Sequence, residues 1–164
     1  YKGIEYLLEA MKIVHKKYPQ VKVVIAGKGE FAFDITQYQE LDYVELRNRF
    51  IGLEELSDLI RSALVTVCPY TDATQSGVVY SSFALNTPVL ATNVGGLPEM
   101  IDDGKTGFLV PPRDSFSLAN AIVRLLDNPA SAIALADNIR NCALVGKGSW
   151  GKIASDYIRA YEAK

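Results

Sequence analysis

Residues 71–99, TDATQSGVVYSSFALNTPVLATNVGGLPE, decide how this chain reads. They predict a polar turn, a helix opened by Thr74, Gln75, Ser76 and Gly77, a short strand over 88–92, and a glycine pair before another helical turn. Two loop-to-helix junctions therefore fall close together. The first backbone N–H groups of a helix have no partner within it, and with the aligned peptide dipoles they attract an anion such as a phosphate. Ser76 and Gly77 are small enough for a ligand to approach the backbone itself. Gly and Ser are also ordinary turn residues, so the same letters suit one more turn and helix of an α/β domain.

Upstream, Ile4, Leu7, Leu8, Met11 and Val14 fall on one face of a predicted helix. His15 reads as an ordinary residue of that helix. The run VKVVIA at 21–26, closed by Gly27-Lys28-Gly29, has the form of a buried parallel strand. Gly27, Gly29 and Ala32 have the spacing of a dinucleotide fingerprint, which would make this a NAD-binding domain. The residues after Gly29 do not open the amphipathic helix that the fingerprint needs. A short extra strand over 31–35 and a turn of helix fill the next stretch. A strand over 44–51 then ends in Gly52, and Leu53, Leu56, Leu59, Ile60 and Ala63 follow at helical spacing, with Glu54 and Glu55 in the first turn where the dipole favours them. Phe50 reads as a core aromatic on the general burial of its type. Residues 64–69, LVTVCP, form another apolar strand and deliver the chain to the central loop.

Downstream, the sequence predicts a short helix over 97–102, a turn at Gly104 to Gly107 and a strand over 108–110 that Pro111-Pro112 stops. Asp114 or Ser115 caps a helix carrying Leu118, Ile122, Leu125 and Leu126. Asn128-Pro129 starts the next, with Ile133, Ala136 and Ile139 on one face. Ser149 opens a last helix with a stripe of Trp150, Ile153, Ala154, Tyr157, Ile158 and Tyr161. Short apolar strands alternating with helices imply an α/β fold, a Rossmann-like, doubly wound and mostly parallel sheet flanked by helices. Ligands of such sheets bind outside the carboxyl ends of the strands, where the loops at Gly27, Gly52, Asp72 and Gly95 converge.

The bulk properties narrow the function classes. At 164 residues the chain suits one α/β domain. Hydrophobic residues at 49% and charged residues at 22% argue against disorder, and a net charge of −2 without a Lys/Arg cluster argues against nucleic acid. No apolar run reaches the length of a membrane span. Cys68 and Cys142 have no paired spacing and read as buried, reduced thiols of a cytoplasmic protein.

The run SGVVYSSFALNTPVLATNVGGLPEMIDDGKTGFLVPPRD resembles the donor-binding, C-terminal half of GT-B fold glycosyltransferases, in the large group 1, family 4-like set of retaining enzymes that use nucleotide sugars. That set has two glutamates ahead of a Gly-Thr-Pro-Val-like strand, then Gly-Gly-x-Pro-Glu and Gly-x-x-Gly-x-Leu-Val. The last two stand here as Gly95 to Glu99 and Gly104 to Val110. The resemblance also covers Lys2 to Ala10, a Lys-Gly-x-x-x-Leu-Leu-x-Ala segment that in the family follows a first strand and a Gly-Arg turn. It implies that residues 1–164 are a donor-binding domain truncated at its N-terminus, that an N-terminal acceptor-binding domain belongs to the same protein, and that the fragment by itself is inactive.

The resemblance assigns Lys2 to the donor diphosphate and Arg49 and Phe50 to the nucleotide base or phosphate; the helix start adds the backbone N–H groups of Gln75, Ser76, Gly77 and Val78 for the diphosphate, with Thr74 as a further donor-binding residue. Ala73 and Ser81 occupy the places of the two glutamates, which in the family contact the donor sugar and the ribose. Asp72 is the nearby carboxylate for the sugar and Ser81 keeps a hydroxyl for the ribose. No catalytic residue is assigned with certainty. The implied donor is a nucleoside diphosphate sugar, with no cofactor or metal. The implied setting is carbohydrate or cell-envelope polysaccharide biosynthesis, with peripheral membrane association of the full-length protein. A non-catalytic nucleotide-binding or regulatory domain on the same fold is the alternative that the loss of both glutamates favours.

Overall fold

The computed structural model describes residues 1–145 and 150–162; Ser149, the expected start of the last helix, lies outside the described residues. The elements run α1 (Ile4–Lys17), β1 (Val23–Ala26), α2 (Thr36–Gln39), β2 (Val44–Arg47), α3 (Leu53–Ser62), β3 (Thr66–Cys68), α4 (Gly77–Ala84), β4 (Val89–Thr92), α5 (Leu97–Met100), β5 (Gly107–Val110), α6 (Ser115–Asp127), α7 (Pro129–Val145) and α8 (Trp150–Glu162). All the strand ladders among the described residues are parallel. β1 pairs with β2, Val23 opposite Val44. β3, β4 and β5 form a second group, with Thr66 opposite Val89 and Val89 opposite Gly107. No ladder joins β1 to β3 among the described residues, so the sheet is present in two parts.

The two-residue alternation of a strand sends its side chains into two core layers. Leu90 of β4 and Val110 of β5 meet Leu7, Ala10, Met11 and Val14 of α1 and Leu118, Ala119 and Ile122 of α6. Val23, Val44 and Val67 pack against the same layer, so one hydrophobic layer runs beneath both parts of the sheet. On the other side Cys68, Val89 and Ala91 join Val79 of α4 and Leu97 of α5. Fully burying a Leu or Val side chain contributes roughly 1.5–3 kcal/mol, so these two layers dominate the stability of the domain. Asp114 caps α6: the Ser117 N–H donates to its Oδ1 at 2.9 Å and the Ser117 hydroxyl to its Oδ2 at 2.6 Å.

Several expectations are corrected. Residues 31–35 form no strand. The Phe31, Phe33 and Tyr38 rings instead meet edge to face, 5.7 and 6.0 Å apart. The Asp34 carboxylate accepts from the Thr36 N–H at 2.9 Å, a local bond that competes with a ladder. On α7 the buried face is Ala132, Leu135 and Ile139, while Ile133 is exposed. Leu53, at the first position of α3, is exposed. Cys68 is buried but Cys142 is exposed. His15 stacks on Tyr43 with ring centroids 4.0 Å apart, and its Nδ1 is buried without a hydrogen-bond partner. The Tyr157, Ile158 and Tyr161 stripe of α8 faces solvent.

Candidate functional site

The loop after β3 carries the chain from Pro69 to the start of α4. Ser76 is the N-cap of α4, in extended conformation and 4% exposed, and no side chain accepts from the helix's first turn. The N–H groups of Gly77, Val78 and Val79 therefore lack a helical carbonyl. A Cβ built on Gly77 would meet no heavy atom within 4 Å, so this end opens onto free space. Ser81 lies four residues on, on the same helical face as Gly77, and is half-buried. Asp72, Thr74 and Gln75 are exposed on the approach.

The second junction behaves differently. The Gly96 N–H donates to the Ala73 carbonyl at 3.3 Å and the Leu97 N–H to the Val94 carbonyl at 3.1 Å, so these amides are already used. Gly95 has φ +51°, and a Cβ there would fall 1.5 Å from the Ala73 carbonyl oxygen; one on Gly96 would fall 2.1 Å from that of Thr74. The glycine pair is thus a backbone buttress pressed under the 71–76 loop. The expectation that both helix starts present free amides is corrected: the one-turn α5 spends its own on this packing.

Lys2 arrives from the far end of the sequence. The Thr71 N–H donates to the Tyr1 carbonyl at 2.8 Å, which pins the start of the chain against the end of β3. A Cβ on Gly3 would lie 1.8 Å from the Pro69 carbonyl oxygen, so only glycine, here at φ +63°, allows this approach. The Lys2 ammonium then rests 4.0 Å from the centre of the Tyr70 ring and 4.9 Å from that of Tyr1. Burial works against its charge, but Tyr70 and Tyr1 outweigh it, and the pKa ends above the ordinary lysine value.

Tyr70 is a residue that the sequence reading passed over. It is buried, its hydroxyl is 3.3 Å from Ser76 Oγ, and its carbonyl accepts from the Thr92 hydroxyl at 2.5 Å. The available signal was a phenol placed directly after an apolar strand, at the end where ligands bind.

Arg49 and Phe50 stand at the end of β2, in the other part of the sheet. Both guanidinium Nη atoms of Arg49 reach the Glu55 carboxylate, at 2.8 and 2.7 Å, and Glu55 also takes Nη1 of Arg47 at 2.9 Å. Phe50 is 80% exposed, not a core aromatic, because it lies beyond the end of β2 in the loop ahead of α3, where neighbouring Leu53 is in solvent as well. The dinucleotide fingerprint lacks its helix. Asn48 pins Gly29 by exchanging hydrogen bonds with its N–H and carbonyl, both 3.0 Å, and the next helix begins only at Thr36.

Among the described residues no three His, Cys, Asp or Glu side chains gather as a metal site, and no helix is long and apolar enough to cross a membrane.

The comparisons with known proteins agree with a parallel α/β fold. Residues 1–128 match the family model described as glycosyl transferases group 1. The chain belongs to the group 1 glycosyltransferases. The D-inositol 3-phosphate glycosyltransferase of Arthrobacter is 31% identical over 170 residues, covering 99% of this chain and 40% of that protein. Sucrose-phosphate synthase from Thermosynechococcus elongatus superposes with a TM-score of 0.75 at 30% identity, over 99% of this chain and 43% of its own. Anabaena HepE in complex with UDP has the same fold, with a TM-score of 0.75 at 22% identity over 87% of this chain and 40% of its own. This group 1 glycosyltransferase chain thus spans about two fifths of the length of the relatives it matches.

Proposed function

We propose that this chain is the donor-binding half of a glycosyltransferase that moves a sugar from a nucleoside diphosphate sugar to an acceptor with retention. The observation that carries the reading is the juxtaposition of an uncapped helix start, open to space at Gly77, with a lysine held on the neighbouring Tyr70 ring. The α4 amides and the Lys2 ammonium would share the donor diphosphate, and their charge would stabilise the negative charge that grows on the leaving phosphate. Asp72, Thr74, Gln75 and Ser81 line the approach and would meet the sugar and ribose. Arg49 and Phe50 would serve the nucleoside, with Glu55 holding the guanidinium in place. HepE solved with UDP and with UDP-glucose supports a nucleotide sugar as the ligand.

The acceptor site and the transfer itself belong, on this reading, to a further domain of the same polypeptide. The length of the matched relatives supports it, since this chain covers 40% of one and 43% of another. A regulatory nucleotide-binding domain is the competing reading, favoured by Ala73 and Ser81 at the two glutamate positions. Both readings bind nucleotide, and only transfer by the longer protein separates them.

The test is thermal stability with UDP, GDP, ADP, CDP or NAD, followed by titration calorimetry on any hit. A ligand at one hundred times its dissociation constant stabilises by about 2.7 kcal/mol. One nucleoside diphosphate should raise the melting temperature, and Gly77→Phe should abolish the rise without lowering the unliganded melting temperature, since that side chain enters open space. A response to NAD alone, or to none of the five, would overturn the reading.

A further inference from the structure

We infer that Tyr70 is a positioning residue that couples the Lys2 ammonium to the start of α4, so that the two groups bind one diphosphate as a unit; this rests on the donor-binding reading above. Lys2 and Ser76 lie 74 positions apart, on elements that share no ladder or cap. Tyr70 bridges them: its ring face carries the ammonium at 4.0 Å and its hydroxyl meets Ser76 Oγ at 3.3 Å. The bridge is itself anchored, because the Thr92 hydroxyl holds the Tyr70 carbonyl at 2.5 Å and the side chain is 5% exposed.

A lysine carries several rotatable bonds, so an unsupported Lys2 would lose much of its value on ordering around a phosphate. The Tyr70 and Tyr1 faces, which attract the cation, restrict it in advance. The hydroxyl end does the corresponding work for the helix. Ser76 is the N-cap residue directly ahead of the free amides of α4, and the Tyr70 hydroxyl, 3.3 Å from its Oγ, ties that residue to the ring that carries Lys2. A rigid aromatic at this position therefore fixes the distance between a mobile charge and a fixed dipole, which is what recognition of two adjacent phosphates requires.

Double-mutant cycles, by calorimetry with whichever of UDP, GDP, ADP or CDP raises the wild-type melting temperature, test this. Lys2→Met in the wild-type background should weaken that nucleotide by ~10-fold, and in the Tyr70→Leu background by no more than ~2-fold, because Lys2 has already lost its support. A side chain with a merely structural role would weaken binding yet leave the Lys2 factor unchanged. Tyr70→Phe keeps the ring and the packing, so it guards against a Leu variant that fails to fold. With it, Lys2→Met should retain its full factor, whereas Ser76→Ala should lose most of its own effect. If wild type binds a nucleoside diphosphate but both pairs are additive, or if Lys2→Met has no effect, the coupling is refuted and the nucleotide site stands. If wild type binds no nucleoside diphosphate, the donor-binding reading fails and takes the coupling with it.

Discussion

The three-stranded part of the sheet is closed on both faces, whereas β1 is covered on one. All four residues of β4 are buried, Leu90 toward α1 and α6, Val89 and Ala91 toward α4 and α5. In β1 the pattern alternates, and Val24 is 40% exposed. β4 has a ladder on each side and a helix layer above and below. β1 pairs only with β2 and leaves its second face to solvent among the described residues. An apolar run is thus not buried by its own composition; its neighbours decide how many of its faces leave water. The proposed diphosphate contacts at Ser76 and Gly77, with Tyr70 and the Gly95-Gly96 buttress, hang from the closed part, whereas Arg49 and Phe50 follow β2 in the open one.

The comparison breaks most readily at Leu90. Leu90→Ala should cost about 3 kcal/mol in urea denaturation, since its side chain is fully buried beneath two helices. A loss under about 1 kcal/mol would mean that the closed part is no better packed than the open one. An intermediate effect is expected at Asp114, which caps the α6 helix that lies under both parts. Its carboxyl is held below the usual aspartate range, first by the Ser117 hydroxyl and then by the Ser117 N–H. A depressed folded pKa gives stability that is fully present above the unfolded value, about 3.9, and is lost as pH falls through the folded one. Asn also caps well but does not titrate. Asp114→Asn should therefore match wild type at pH 7 and show a shallower decline between about pH 4 and pH 2. An unchanged acid profile would remove Asp114 from the account. The smallest effect belongs to Val24→Thr, on the open face of β1, where the change should stay within about 0.5 kcal/mol. A loss of about 2 kcal/mol would show that this face is covered in solution, and would erase the contrast between the two parts.

Much of this architecture was legible. β1 to β4 lie inside the expected runs, and β5 starts one residue early, at Gly107, because short apolar segments bounded by Gly and Pro have few alternatives; α1 and α6 bury the faces that their 3.6-residue periodicity marks. The helix start at Ser76-Gly77 was legible from its small residues. The stretch over 31–35 was not, because an alternation of aromatic and polar residues serves a local Phe31–Phe33–Tyr38 cluster as well as a strand. Phe50, Leu53 and Ile133 misled for one reason: hydrophobicity says what a side chain prefers, not whether a partner is within reach.

Outside the stretch over 31–35, the sequence by itself determined the order of strands and helices, with the single α/β class and the glycine-rich junctions, since these follow from periodicity and backbone chemistry over a few neighbouring residues. Only the tertiary structure decided that the Gly95-Gly96 amides brace the 71–76 loop while those of α4 stay open, and that Lys2 meets Ser76 across Tyr70. Those relations join residues about 20 to 74 positions apart. They depend on how helices and strands stack once water is excluded, a property of the packed chain that no local window carries.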